Sequence, residues 1–157
     1  MITVIVDANV LLRLADAISK HHGSAKAALS QLENAGARLF TVPQAIYEFW
    51  VVATRPVENN GLGLSIEECD EEIKLLELVV PVLNDPRTLY ADWRSLVKNF
   101  KCTGKVAHDA RYAAAISALN FEFLLTFNGS DFVRYPFISI LDPNTIANNG
   151  LDGLPAP

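Results

Sequence analysis

Short runs of apolar residues alternate along the chain with longer segments of helical periodicity. Four short runs predict buried strands, at residues 2–6, 39–42, 123–126 and 137–141. Between them, apolar residues recur at every third or fourth position, which predicts six helices, over residues 9–17, 24–35, from Pro43 through Ala53, from Ser65 to Val80, from Pro86 to Phe100 and 107–119. Short strands separated by helices predict an α/β sandwich with a mainly parallel sheet.

Residues that favour helix ends support these boundaries. We expect Ser24 to cap the second helix and Gly36 to follow its last turn. Pro43 suits the first turn of a helix because that position needs no backbone N–H donor. Ser65 followed by Glu68 has the spacing of a capping box, so the fourth helix should begin there.

The last residues differ in composition from the rest of the chain. The segment from Asp142 to Pro157 contains three of the eight prolines and two of the eight glycines. We therefore expect one domain over residues 1–143 and a loosely ordered tail over residues 144–157.

Composition narrows the possible classes of protein. The chain has 157 residues, half of them apolar, and a formal net charge of −5, which fits one folded domain and argues against coating DNA without sequence preference. No apolar run is long enough to span a membrane, and residues 2–6 are too few for the core of a signal peptide. Cys69 and Cys102 lack metal-ligand spacing, which is typical of a protein of the reducing cytoplasm.

Two carboxylates stand at positions where a charge is unusual. Asp7 directly follows the first predicted strand, where it either caps the next helix or serves a function, since ligands collect at the carboxyl ends of parallel strands. Glu48 lies on a helix that is apolar nearly all round, although most such glutamates simply face water. Its neighbours Tyr47, Val51 and Val52 indicate instead a buried ion pair or a functional pocket.

A second pair of acidic positions lies later in the chain. Asp109 is near the start of a predicted helix, where the helix dipole alone stabilises a carboxylate. Its neighbour His108 is more often structural than a general base. Thr126, Asn128 and Asp131 follow a predicted strand, and their types are also those of ordinary turns.

The significance of these residues depends on whether they converge at one edge of the sheet. Carboxylates that lie close together repel one another and take up protons unless a cation joins them. Oxygen ligands without cysteine or a histidine pair favour Mg²⁺ or Mn²⁺ over Zn²⁺. A divalent ion held by Asp7, Glu48, Asp109 and Asp131 would polarise a water for attack on a phosphodiester.

Four segments resemble the PIN-domain proteins, and in particular the VapC-like toxin ribonucleases. They are residues 4–11 (VIVDANVL), 42–49 (VPQAIYEF), 108–114 (HDARYAA) and 125–132 (LTFNGSDF). Their order and spacing agree with the family from residue 2 to about residue 143. The resemblance implies a three-layer α/β/α sandwich, Mg²⁺- or Mn²⁺-dependent cleavage of RNA, a homodimer and a cognate antitoxin protein.

The resemblance also implies roles for individual residues. Asp7, Glu48 and Asp109 would bind the metal, Asn9 would orient Asp7, and Thr126 would support the metal or its water. Many members of the family have an Asp two residues after the Thr, where this chain has Asn128, so either Asn128 through a water or Asp131 completes the site. Near these positions in the sequence, Arg13 and Arg111 are candidates for binding the RNA substrate.

Two other functions remain open. A PIN-like binding module for RNA or a protein partner would keep the fold and lack catalysis. A phosphatase with Asp7 as its nucleophile is disfavoured, since its general acid would be expected at position 9, and the amide of Asn9 cannot donate the required proton.

Overall fold

A four-stranded parallel sheet forms the centre of the protein. In the computed structural model, which describes residues 1–154, the strands are β1 (Thr3–Val6), β2 (Arg38–Phe40), β3 (Phe123–Leu125) and β4 (Ser139–Leu141), in the order β2-β1-β3-β4. Val4 of β1 pairs with Leu39 on one side and with Phe123 on the other. Strand β1, one of the two inner strands, is completely buried from Val4 to Val6, as expected for a parallel sheet covered on both faces.

Seven α-helices account for most of the rest of residues 1–154. They are α1 (Ala8–Ala15), α2 (His22–Asn34), α3 (Pro43–Thr54), α4 (Ile66–Val79), α5 (Leu89–Asn99), α6 (Val106–Ala118) and α7 (Pro143–Asn149). Short 3₁₀ helices occupy Val57–Asn59, Gly129–Phe132 and Gly150–Gly153. Helices that flank an all-parallel sheet confirm the predicted three-layer α/β/α architecture. No helix within residues 1–154 has both the length and the apolar character needed to cross a membrane.

Most of the predicted helix ends are confirmed. Pro43 occupies the first turn of α3, and the Ser65 hydroxyl accepts a hydrogen bond of 3.0 Å from the backbone N–H of Glu68. Gly36 has a φ of +81°, a left-handed conformation that glycine adopts without strain, and its N–H donates to Glu33 at 2.9 Å. The prediction for Ser24 is wrong, because the helical hydrogen bonds begin earlier, with the N–H of Ala25 donating to the carbonyl of His21 at 3.0 Å.

The expectation of a loosely ordered tail over residues 144–157 is wrong for residues 144–149, which together with Pro143 form α7. Asp142 caps α7 by accepting from the backbone N–H of Thr145 at 2.9 Å, and Pro143 stands in the first turn. Ile146 is completely buried where α7 packs on α2. Proline and glycine content does not predict the structure of this segment, because a short capped helix with one completely buried side chain suffices to dock it. Residues 155–157 of the predicted tail lie outside the described residues.

Truncating Ile146 should therefore destabilise the whole protein. We expect Ile146→Ala to lower the free energy of unfolding by about 2–4 kcal/mol, the usual cost of a cavity at a buried aliphatic position. Urea denaturation followed by circular dichroism measures the change. Asn148→Ala, at an exposed position of the same helix, is the control and should cost less than about 0.5 kcal/mol. Equal small effects for both variants would show that α7 does not contribute to the core.

Candidate active site

Asp7 lies at the carboxyl end of β1 and at the start of α1. Its N–H donates to the carbonyl of Leu125 at 3.0 Å, which extends the pairing of β1 with β3 by one residue. Its own carbonyl accepts from the N–H groups of Val10 and Leu11 at 3.1 and 3.3 Å, which begins the helix. The backbone therefore holds the side chain of Asp7 at the edge of the sheet, between β1 and β3.

The carboxylate of Asp7 accepts three hydrogen bonds although the residue is only 6% exposed. The N–H of Ala8 donates to Oδ1 at 2.6 Å, so Asp7 does cap the helix. The Thr126 hydroxyl and the Asn9 amide donate to Oδ2 at 2.8 and 3.2 Å. Capping uses one carboxylate oxygen, and the other is directed toward the loop that follows β3.

Asn9 and Thr126 fasten that loop to the start of α1. The Asn9 amide donates to Thr126 Oγ1 at 3.0 Å, and its carbonyl oxygen accepts from the N–H of Phe127 at 3.1 Å. Thr126 Oγ1 also accepts from the N–H of Asn128 at 3.0 Å. Because Asn9 and Thr126 are separated by 117 positions in the sequence, only the parallel pairing of β1 with β3 brings them together.

Glu48 is half-buried, and both of its carboxylate oxygens accept hydrogen bonds. Its Oε1 accepts from the Gln44 amide at 3.0 Å, and its Oε2 accepts from the Tyr112 hydroxyl at 2.8 Å. Tyr112 is 2% exposed and comes from α6, so this hydrogen bond joins α3 to α6. No ion pair holds Glu48 within residues 1–154, so the buried ion pair among the sequence interpretations is wrong.

Gln44 extends the hydrogen-bond network outward to the loop between α4 and α5. Its amide also donates to the carbonyl of His108 at 3.0 Å, and its side-chain oxygen accepts from Arg111 at 3.4 Å. Arg111 in turn forms an ion pair of 2.7 Å with Asp85. The guanidinium that we expected to bind RNA is therefore already paired, and half-buried, at the border of the site.

Asp109 and Asp131 lie further toward the surface. Asp109 is half-buried in the first turn of α6, whereas Asp131 and Asn128 are exposed. Asp131 belongs to the 3₁₀ helix Gly129–Phe132, which packs closely on β4: a Cβ atom on Gly129 would come within 2.7 Å of Ile140 Cγ2. The negative charge of Asp131 acts on Asp109, so the two carboxylates share one region of the molecule.

Burial and mutual repulsion both raise the pKa of carboxylates in this region. Burial, together with the charge of Glu48, raises the pKa of Asp7 to about 6 despite its hydrogen bonds. Burial, then the charges of Asp131 and Glu48, raises the pKa of Asp109. Burial and the charges of Asp7 and Glu48 raise the pKa of Tyr112 well above its usual range, so this side chain stays a hydroxyl and a donor.

The side chains of this arrangement are of the types that bind a divalent cation, but they do not lie close enough together to hold one. The donors are carboxylate, hydroxyl and amide oxygens, which Mg²⁺ and Mn²⁺ prefer, and no Lys or Arg of residues 1–154 forms an ion pair with Asp7, Glu48, Asp109 or Asp131. However, no three Asp, Glu, His or Cys side chains of the described chain are grouped closely enough to hold an ion. Both oxygens of Glu48 are engaged by Gln44 and Tyr112 instead.

Gln44 and Tyr112 are site residues that the sequence interpretation missed. Each lies one helical turn from a predicted ligand, Gln44 four residues before Glu48 and Tyr112 three residues after Asp109. On a helix, residues three or four apart share a face, so this spacing could have identified both.

Comparison with known proteins identifies related domains. The family model for the PIN domain matches residues 4–138. No curated protein sequence is significantly similar to the chain.

Several solved structures share this fold. VapBC-1 from nontypeable Haemophilus influenzae has a TM-score of 0.64 at 19% sequence identity, and the match covers 90% of this chain and 98% of that one. VapBC2 from Rickettsia felis, bound to a DNA fragment from its promoter, has a TM-score of 0.69 at 13% identity, with 90% of this chain and 98% of that one covered. The Mycobacterium tuberculosis protein VapC20, a toxin that cleaves the sarcin-ricin loop, has a TM-score of 0.58 at 19% identity, with 82% of this chain and 92% of that one covered.

The raised pKa of Asp7 has a consequence for stability. A carboxyl whose pKa is higher in the folded protein stabilises the fold at low pH and loses that contribution as the pH rises from about 4 to about 6. In buffer without divalent ions, Asp7→Asn should therefore be more stable than the wild type at pH 7.5, by up to about 3 kcal/mol, and this advantage should shrink toward pH 4. Urea denaturation across this pH range measures the difference.

Glu77→Gln, at an exposed position of α4, is the matched control and should follow the wild type at every pH. If Asp7→Asn were less stable than the wild type at pH 7.5, the charge of Asp7 would not be a burden on the folded state.

The hydrogen bond between Tyr112 and Glu48 should be measurable as a coupling. We expect a double-mutant cycle of Tyr112→Phe and Glu48→Ala to give a coupling energy of about 1–3 kcal/mol, since the bond is partly buried and has a charged acceptor. Urea denaturation at pH 7.5 supplies the four free energies of unfolding. The control is the same cycle with Tyr47→Phe in place of Tyr112→Phe, because Tyr47 is an exposed residue of α3. This control cycle should give no coupling. Additive effects for Tyr112 and Glu48 would refute the contact.

Proposed function

The chain belongs to the PIN-domain family, and from this membership we propose that it is a divalent-metal-dependent endoribonuclease that hydrolyses RNA phosphodiester bonds. We further propose that it is the toxin of a toxin–antitoxin pair. The observation that carries the proposal is the buried carboxylate of Asp7, with its pKa raised to about 6, at the same edge of the sheet as Glu48 and Asp109. Carboxylates kept together at such a cost are typical of functional sites.

The roles of the residues follow from their positions. Asp7, Glu48 and Asp109 would hold Mg²⁺ or Mn²⁺, with Asp131, or Asn128 through a water, as the remaining ligand. When bound, the metal would neutralise these carboxylates and supply a polarised water for attack on the phosphodiester. Asn9 and Thr126 orient Oδ2 of Asp7, the oxygen that does not cap the helix, while Gln44 and Tyr112 hold Glu48 between α3 and α6. Release of Glu48 from one of these two donors would free an oxygen for the metal.

The partners of the protein are part of the same proposal. An RNA substrate, a cognate antitoxin, a homodimeric state and a cytoplasmic location are what a VapC-like function requires. The proteins that share this fold include VapBC proteins, one of them bound to promoter DNA, and a toxin that cleaves the sarcin-ricin loop. They support the proposal by their fold.

Removing the carboxylates should abolish cleavage. We expect Asp7→Asn and Asp109→Asn each to lower the single-turnover rate of RNA cleavage in Mn²⁺ by at least about 100-fold, since the metal supplies several kcal/mol of transition-state stabilisation. The readouts are fragment formation from total RNA, with and without EDTA, and the shift of the unfolding temperature that Mn²⁺ produces. Mn²⁺ should raise this temperature for the wild type and not for the two variants.

Glu77→Gln on the exposed side of α4 should cleave RNA and respond to Mn²⁺ like the wild type. Cleavage that persists in EDTA, or in Asp7→Asn, would contradict the mechanism. A wild type that binds RNA without cleaving it would favour the binding module. In the same assay, Asp131→Asn and Asn128→Ala identify the fourth ligand by which of the two loses the response to Mn²⁺.

A further inference from the structure

We propose that a groove beside the candidate active site binds an unpaired nucleotide segment of the RNA substrate, by stacking a base on Tyr90 and by attracting phosphate to Arg87 and Arg111. We call it the aromatic groove; it has a volume of about 440 Å³ and is lined by Asp85, Pro86, Arg87, Leu89, Tyr90, Trp93 and Arg111. The proposal rests on the ribonuclease function proposed above and adds to it where the substrate lies.

The aromatic groove is next to the edge of the sheet that carries the carboxylates. Thr41 directly follows β2, and its backbone pairs with the loop between α4 and α5: its N–H donates to Pro81 at 3.0 Å, and its carbonyl accepts from Leu83 at 2.9 Å. This pairing holds the start of the groove, at Asp85 and Pro86, beside the carboxyl end of the strand. An RNA that reaches the carboxylates therefore passes over or beside this groove.

A continuous series of hydrogen bonds joins the groove to the site. Arg111 contacts Asp85 at 2.7 Å and Gln44 at 3.4 Å, and Gln44 contacts Glu48 at 3.0 Å. Arg111 thus belongs to both places: its side chain lines the groove, and one intervening residue separates it from a predicted metal ligand. A nucleotide in the groove would be a close neighbour of the bond to be cleaved.

The aromatic residues of the groove form a preorganised surface. Tyr90 is 68% exposed and stacks on Trp93, with ring centroids 6.4 Å apart and an interplanar angle of 30°. The indole N–H of Trp93 donates to the carbonyl of Ala107 at 2.7 Å, which fixes the ring that supports Tyr90. An exposed aromatic face with a second ring behind it is the usual platform for an unpaired base.

The charge of the groove distinguishes it from the rest of this acidic protein. Two arginines face one aspartate, so the groove is net positive although the chain carries −5. Arg87 is exposed and has no ion-pair partner within residues 1–154, while Arg111 shares Asp85. A phosphate would find one free guanidinium and a second that could exchange its carboxylate. Positive charge beside an exposed aromatic face suits the phosphates and bases of a nucleic acid.

Binding measured apart from cleavage tests the proposal. The probe is a fluorescein-labelled ten-nucleotide oligoadenylate RNA, the comparison probe is the same backbone without bases, and the protein is the full chain with Asp7→Asn so that the RNA stays intact. Tyr90→Ala should raise the Kd for oligoadenylate by about 5- to 50-fold and leave the Kd for the abasic probe unchanged. Arg87→Ala should weaken the binding of both probes and lower the slope of log Kd against log salt concentration by about 0.7.

Two further variants serve as controls. Tyr90→Phe keeps the ring and should retain the affinity of the parent protein. Arg38→Ala removes an exposed arginine at the amino end of β2, on the opposite edge of the sheet, and should change neither affinity nor salt dependence. In an otherwise wild-type chain, Tyr90→Ala should raise KM for RNA cleavage by the same factor and leave kcat within about twofold.

The remaining outcomes separate the groove from the function. Unchanged RNA affinity in folded Tyr90→Ala and Arg87→Ala overturns the groove and leaves the ribonuclease intact. A change in oligomeric state by light scattering, without a change in RNA affinity, overturns it as well and places Tyr90 in an interface between copies. Loss of binding in both variants, combined with a wild type that never cleaves RNA, supports the groove and refutes the ribonuclease.

Discussion

The burial of one carboxylate, that of Asp7, is the constraint on which the rest of the site depends. The parallel pairing of β1 with β3 carries Asp7 to the end of a strand that is completely buried from Val4 to Val6, and the helix that follows takes one of its oxygens as a cap. The other oxygen must then be satisfied by the side chains of Thr126 and Asn9, which fastens the loop after β3. The raised pKa of Asp7 shows that these donors do not offset its burial and the charge of Glu48 completely.

Further from Asp7, other polar side chains each form hydrogen bonds or ion pairs with two neighbours. Tyr112 and Gln44 hold the two oxygens of Glu48, and Gln44 also contacts Arg111, which pairs with Asp85 in a distant loop. A buried polar group without partners is costly, so each contact makes the next one necessary. The network therefore joins Glu48, one of the proposed metal ligands, to the arginine-lined groove at the surface.

Much of the fold was predictable because its signals are local. The capping serine Ser65, the helix-starting Pro43 and the left-handed Gly36 act within one or two turns of chain, and all three are confirmed. The prediction that Ser24 caps α2 was wrong because the preceding turn already starts the helix. The prediction of a loosely ordered tail was wrong because the burial of Ile146 against α2 outweighs a composition rich in glycine and proline. Both errors concern contacts that local composition does not encode.

The sequence by itself determined the order of strands and helices along the chain and the identity of the side chains that offer oxygen ligands. It also predicted that some of these side chains meet, because strand periodicity and the parallel topology place Asp7 and Thr126 at one edge of the sheet. Only the tertiary structure decided which partners those side chains take: that Tyr112 and Gln44 hold Glu48, that Asp85 holds Arg111, and that Tyr90 and Trp93 border a groove. These choices depend on the distance and angle between helices, which are set by packing across the whole core and are recorded at no single position of the chain.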